Sequence, residues 1–362
     1  MIYLDANATE PLRPEALEAA LAAMRLGGNP SSIHGAGRAA RRILESARER
    51  LAETVGAGAG DIVFTSGGTE ANALAIAALG AGRRLIVGAT EHDAVRAASS
   101  AAAILPVDRD GIADCARLEA LLRQGGPALV CLMLANNETG AIQPVAAASA
   151  LCRAHGAILH VDASQALGRI PVNLAALGAD SLAVSGHKVG GPAGAGALVL
   201  APAHTNITSL LAGGGQERGR RGGTPPLPAI AGFAAALAVC GGGEGLAALR
   251  ARAEQAAVAA GAVVCGGGAS RLPNTTCLAL PGVRADAQVI ALDLAGIAVS
   301  AGAACSSGKV AESHVLRAMG LGALAAQAIR VSLPWNVTEA DIAAFAAAYS
   351  RTAAALTAHL AA

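Results

Sequence analysis

Six short stretches in the first 200 residues are hydrophobic throughout rather than at alternate positions. They lie in "DIVFTSGGTEANALAIAAL", "RRLIVGATEHDAVRAA", "PALVCLMLANNETG", "AILHVDASQA", "DSLAVSGHKVG" and "GALVLAP". A strand with one wet face alternates polar and apolar side chains, so runs like these belong to strands buried on both faces. Helical segments separate several of them, as after the Ser-Gly-Gly turn that follows Ile62 to Thr65, where a helix begins at about Thr69. The pattern is that of a mainly parallel sheet covered by helices. In open sheets of this kind ligands sit beyond the carboxyl ends of the strands. The polar residues that close each run are therefore expected around one crevice.

At 362 residues the chain is too long for one small core. Ala40, Ile43, Leu44, Ala47 and Leu51 recur at helical spacing between Gly35 and Val55. A second helix is expected from Pro228 to Cys240, and the "GGGEG" that follows is a composition shift and a candidate boundary. Beyond it, "RLPNTTCLALPG" reads as a strand and "DAQVIALDLAGIAVS" as helix plus strand. The division expected is a large domain over 16–243 and a smaller α+β domain made of 1–15 and 244–362. Whether the N-terminal arm packs on one part or the other is left open.

Composition removes several function classes. A net charge of +1 gives no electrostatic footprint for nucleic acid or an anionic membrane, and 2% aromatic content leaves few rings for stacking bases. The run from Ala229 to Cys240 is well short of the roughly 20 residues that span a bilayer. "MIYLDANATE" lacks a basic segment and a long apolar core, so no secretory signal is expected. Seven cysteines are scattered with no C-x-x-C pair, which fits a reducing cytoplasm rather than a disulfide framework or zinc site. Most lie in apolar runs as small core residues. Cys305 differs, standing in "SAGAACSSGKV". That stretch is no nucleotide loop: five residues, not four, separate Gly302 from Gly308, and Val310 follows the lysine where a hydroxyl would be needed.

The strand-closing residues carry the chemistry. Gly67, Gly68 and Thr69 open a helix, where free N–H groups and the helix dipole favour an anion. His92, Asn137, Glu138, Asp162, Gln165, Ser185, His187 and Lys188 close the other runs. Taken singly each has an ordinary reading: a helix cap, a structural histidine, a solvated lysine. Taken together, an anion cup, an aspartate and a lysine on one rim are what pyridoxal 5'-phosphate requires. The lysine anchors the aldehyde, the aspartate keeps the pyridine nitrogen protonated, and the helix N-terminus takes the phosphate.

The chain resembles the cysteine desulfurases of the NifS/IscS type, within the class V aminotransferase superfamily. The resemblance runs through "YLDANAT", "GNPSSIHGAGR", "FTSGGTEAN", "TEHDAV", "ANNETGAIQP", "HVDASQALG", "SGHKVGGPAGAGAL", "GGGQERGRRGGT", "SAGAACSSG", "SHVLRAMG" and "IRVSLPW". It implies a fold type I α/β enzyme, with a mainly parallel, mixed seven-stranded sheet in the large domain. It makes Lys188 the Schiff-base lysine, Asp162 the pyridinium partner and His92 the residue over the ring, with Gln165 at the ring hydroxyl. Gly68, Thr69, Ser185 and His187 would hold the phosphate, joined by Thr224 from the second subunit of a homodimer. Asn137 and Arg330 would bind the substrate carboxylate, and Cys305 would be the nucleophile that takes sulfur from L-cysteine, leaving alanine. No resident metal is implied, although Cys305 would be the residue to meet a cluster on a partner. Iron–sulfur scaffolds or other sulfur-acceptor proteins are the partners implied, with no membrane and no direct nucleic-acid contact. The sequence departs from the family pattern at Ala212, Gly186, Gly222 and Pro334, none of which removes a catalytic group. The alternatives are a selenocysteine lyase or aminotransferase on the same scaffold, and a non-catalytic relative, which retention of Lys188 and Asp162 disfavours.

Overall fold

The computed structural model describes residues 1–99, 101–241, 243–302 and 312–358. Cys305 lies outside the described residues. Strand β1 (Ile2–Tyr3) is followed by helices α1 (Pro14–Leu26) and α2 (Gly35–Val55). Strand β2 (Ile62–Thr65) leads into helix α3 (Gly68–Leu79). Then come β3 (Arg84–Gly88), β4 (Ala103–Leu105), β5 (Ala128–Cys131), β6 (Ile158–Asp162), β7 (Ser181–Ser185) and β8 (Gly196–Leu200). These form a seven-stranded sheet in the order β2-β8-β7-β6-β5-β3-β4. β8 is antiparallel to both its neighbours, while the pairs among β3, β4, β5, β6 and β7 are parallel. The sheet is therefore mixed and mainly parallel, as the unbroken apolar runs predict.

Alternation within each run sorts its side chains between two cores. Ile62, Phe64, Ile86, Val130, Leu159, Val161, Leu182 and Val184 pack on one face with residues of α1, α2 and the helix Leu227–Val239. Val63, Val87, Leu129, Cys131, Ile158, Ala183 and Leu198 pack on the other with Ala71, Leu74, Ala75 and Leu79 of α3. That two-sided burial removes most of the apolar area of each strand from water and is the main stabilising term for the sheet. It also puts Ile158, His160 and Asp162, at alternate positions of β6, on the face covered by α3.

The rest of the chain builds a second layer. β9 (Val263–Cys265), β10 (Thr275–Ala279), β12 (Ser300–Ala301) and β13 (Ala328–Ser332) make an antiparallel sheet, while β11 (Ile297–Ala298) pairs with β1 in parallel. Its core joins Leu4, Leu278, Ile329 and Val331 to Phe345 and Tyr349 of the C-terminal helix. The N-terminal arm bonds to both parts. Leu4 N–H donates to Ala298 and Ala6 N–H to Ser332, whereas Glu10 N–H donates to His187 and Arg13 N–H to Gly190. No described helix is long and apolar enough to cross a membrane.

Candidate active site

β2, β3, β5, β6 and β7 deliver their carboxyl ends to one edge of the sheet, where a cavity of about 420 Å³ opens. Gly68, Thr69, His92, Asn137, Asp162, Gln165, Ser185, His187 and Lys188 all line it. Sequence separations of more than 100 residues are thus closed by the topology of the sheet. Two of the expected site residues, Thr224 and Arg330, are not among its lining residues.

The anion end is the start of α3. Gly68 and Thr69 are the first helical residues, and their N–H groups have no intrahelical carbonyl to donate to. No side chain caps them. The turn lies close against β8, since a Cβ on Gly196 would come within 2.6 Å of Gly67 Cα. His187 closes this end. Its Nδ1 lies 2.7 Å from Thr9 Oγ1, and burial, reinforced by the charge of Lys188, lowers its pKa to about 4. A neutral His187 whose Nδ1 accepts the Thr9 hydroxyl carries its proton on Nε2, a donor for an anion.

The aspartate ends one strand and the lysine follows the adjacent parallel one. Lys188 follows β7, and its Nζ donates to the carbonyls of Asn7 at 2.5 Å and Ala8 at 2.9 Å. Asp162 ends β6, where Oδ2 accepts from Asn72 Nδ2 at 2.8 Å and Oδ1 from Ser164 N–H at 2.9 Å. Gln165 Nε2 donates to Asn7 O at 3.0 Å, and its Oε1 accepts from Arg169. His92 caps the short helix after β3, with Nδ1 accepting from Ala94 N–H at 3.1 Å. That bond commits the neutral ring to a proton on Nε2. Its Nε2–H is therefore a hydrogen-bond donor available to the cavity.

Arg330 is buried, at 4% exposure. Its Nη2 donates to Asp5 Oδ1 at 2.7 Å and its Nη1 to Asn137 O at 3.3 Å, while Nε has no hydrogen-bond partner among the described residues. Thr224 is exposed, in a loop fastened to α2 and α3 by one buried and one partly buried charge pair. Arg48 grips both carboxylate oxygens of Glu217 at 2.7 and 2.9 Å, and Arg221 reaches Glu70 at 2.8 and 3.2 Å. Glu217 holds a left-handed φ of 48° there, a cost these bonds offset.

Several site residues have no counterpart in the sequence expectations: Asp5, Asn7, Asn72, Glu91, His160 and Ser164. Glu91 is fully buried, and burial, with Asp162 adding to it, pushes its carboxyl well above the usual range. Its Oε1 accepts from Met133 N–H at 2.6 Å. The period of two along "HVD" was a usable signal for His160, because it puts that ring on the same face of β6 as Asp162. No comparable signal exists for Asp5 or Asn7, whose partners lie across the chain.

The structure and sequence have close relatives. The family model for class-V aminotransferases matches residues 2–345. The chain is 44% identical to a cysteine desulfurase of Cereibacter sphaeroides, over 94% of this chain and 92% of that one. It is 39% identical to an IscS-like cysteine desulfurase of Mycobacterium tuberculosis, over 94% and 93%. A NifS-like protein from Rickettsia africae superposes with a TM-score of 0.91 at 35% identity, covering 97% of this chain and 99% of that one.

Proposed function

The chain belongs to the class-V aminotransferase family and acts as a cysteine desulfurase, and on that premise we propose the roles of its residues. The observation that carries the assignment is the joining of Lys188, Asp162 and the open start of α3 around one cavity. These groups fit pyridoxal 5'-phosphate: free N–H donors and neutral His187 for the phosphate, a carboxylate for the pyridine nitrogen, and an amine for the aldehyde. When bound, that cofactor supplies an aldehyde carbon that takes up an amine and a ring that accepts electrons from the substrate's Cα.

Lys188 would hold the cofactor, and its Nζ would take the Cα proton of the substrate. The Asn7 and Ala8 carbonyls that now receive Nζ keep that amine at the rim. Asn137 and Arg330 orient the substrate carboxylate, for which the guanidinium fork is suited. His92 lies over the ring site and donates a hydrogen bond there from Nε2. Cys305 attacks the substrate sulfur as thiolate: an S–S bond forms, the C–S bond breaks, and its electron pair is protonated at Cβ. Cysteine and an enzyme thiol thus become alanine and an enzyme persulfide, with atoms and electrons balanced. We also propose a homodimer in which Thr224 serves the partner's phosphate site, a cytoplasmic location, and delivery of sulfur to a scaffold or other acceptor protein. The domain division at 16–243 against 1–15 and 244–362 is part of this reading, supported by the separate cores.

Incubating the holo-protein with L-cysteine and a thiol reductant tests the assignment. Stoichiometric alanine and sulfide are expected, without need of a 2-oxo acid. Amino transfer to 2-oxo acids in place of sulfide release would overturn it in favour of an aminotransferase.

A further inference from the structure

Behind Asp162 three polar side chains lie in an otherwise aliphatic layer. Asn72 is 1% exposed, while His160 and Ser181 are fully buried. Their neighbours on that face are Val63, Leu74, Val87, Leu129, Ile158 and Ala183. We propose that Asn72, His160 and Ser181 form a directional hydrogen-bond relay that holds Asp162 as an oriented carboxylate toward the cofactor's ring nitrogen. The proposal rests on the reading of Asp162 given above, and makes the three positioning residues for that reaction.

The direction of the relay follows from the chemistry of its end. A carboxylate can only accept, so Asn72 must turn Nδ2 to Asp162 Oδ2, 2.8 Å away. The amide oxygen then faces His160 and must accept, so the imidazole carries its proton on Nε2, at 2.8 Å. Burial holds this ring neutral, with its pKa lowered to about 4 despite the opposing charge of Asp162. Its Nδ1 lone pair is thereby left to accept Ser181 Oγ–H, also at 2.8 Å. Every donor in the series points at the carboxylate, so the bonds polarise one another in one sense.

The sequence sets up this alignment at three points. His160 and Asp162 share one face of β6, and Ser181 is the Cα partner of His160 on β7. Asn72 stands three residues after Thr69, one turn along α3. One helix therefore fixes both the anion end of the cavity and the carboxylate opposite. An apolar trio of similar volume would be at least as stable in this layer. A chain of three polar groups that ends on Asp162 is instead what orientation of that carboxylate requires.

The test uses holo-protein of wild type, His160→Leu, His160→Gln, Asn72→Leu and Asp162→Asn. It reads the visible absorption of the bound cofactor, the affinity of the apo-protein for pyridoxal phosphate, and kcat and KM for alanine formation. Outer-sphere orienting contacts are typically worth about 10–100-fold. His160→Leu and Asn72→Leu should shift the absorption band, weaken cofactor binding by about that factor, and lower kcat far more than they raise KM. His160→Gln, which can still place an N–H toward Asn72, should restore most of each. A wild-type spectrum and affinity in whichever of the two leucine variants folds would overturn the relay, as would a glutamine variant no better than leucine. If Asp162→Asn alone changes these readouts, only the relay fails. If Asp162→Asn changes nothing, the reading of Asp162 fails with it.

Discussion

Arg330 Nη2 lies 2.7 Å from Asp5 Oδ1, so the strand β13 and the N-terminal arm meet through an ion pair beside the cavity, its arginine buried and its aspartate partly so. Ser300 Oγ donates to the other oxygen of the same carboxylate, Oδ2, at 2.9 Å. Removing Asp5 would leave the guanidinium with the Asn137 carbonyl and little else. Breaking a fully buried pair from one side costs about 3–5 kcal/mol, an upper bound for this partly exposed one. Asp5→Ala should lower stability by that order in urea titration, and Asp5→Asn, which keeps an acceptor, by clearly less. Equal losses in the two variants would show that the ion pair is not what holds the arm.

Gly186 stands where the family pattern has alanine, and the packing supplies a reason. A Cβ there would come 3.0 Å from Ala195 O, 3.0 Å from Phe233 Cγ and 3.1 Å from Phe233 Cβ. Overpacking of this kind costs about 1–3 kcal/mol. Gly186→Ala should be destabilising within that range. Because the two sites touch, the cost should shrink when Phe233 is also changed to Ala, which removes Cγ, a coupling read by a double-mutant cycle on thermal or urea unfolding. Additive losses would remove Phe233 as the cause.

His160 and His187 both have folded-state pKa values lowered to about 4 by burial. The unfolded chain, with histidines near 6.5, takes up protons there that the folded protein refuses. Stability from these groups is thus present above about pH 6.5 and is lost as pH falls toward 4. Thermal midpoints at pH 7 and pH 5 should show this drop, and it should be smaller in His160→Gln, which has no proton to gain. An unchanged pH slope in that variant would mean that His160 does not resist protonation.

What could be read in the sequence was short-range. The helix from Gly35 to Val55 matches its expected bounds, β2 spans Ile62–Thr65 as expected, and the helix expected from Pro228 to Cys240 is Leu227–Val239. Asp162, Lys188 and the Gly68–Thr69 turn were legible because each closes a run whose apolar pattern fixes it at the sheet edge. The contacts that hold them were not. Asn7 receives Lys188 from 181 residues away, and Asp5 receives Arg330 from 325. Such pairings depend on how the arm crosses both layers, and no local period encodes that path. The left-handed Glu217 was equally hidden, since its conformation is set by Arg48, 169 residues away.

On this mechanism sulfur passes from cysteine to one protein thiol. That transfer is tested by mixing holo-protein with one equivalent of L-cysteine without reductant, then alkylating, digesting and weighing the peptides. Alanine in solution and one extra sulfur atom on the peptide bearing Cys305 are expected, with no added sulfur, and no sulfide on later addition of a thiol reductant, in Cys305→Ala, whose cofactor absorbance stays intact. Normal sulfide turnover in Cys305→Ala, or the added sulfur on a different cysteine, would contradict it.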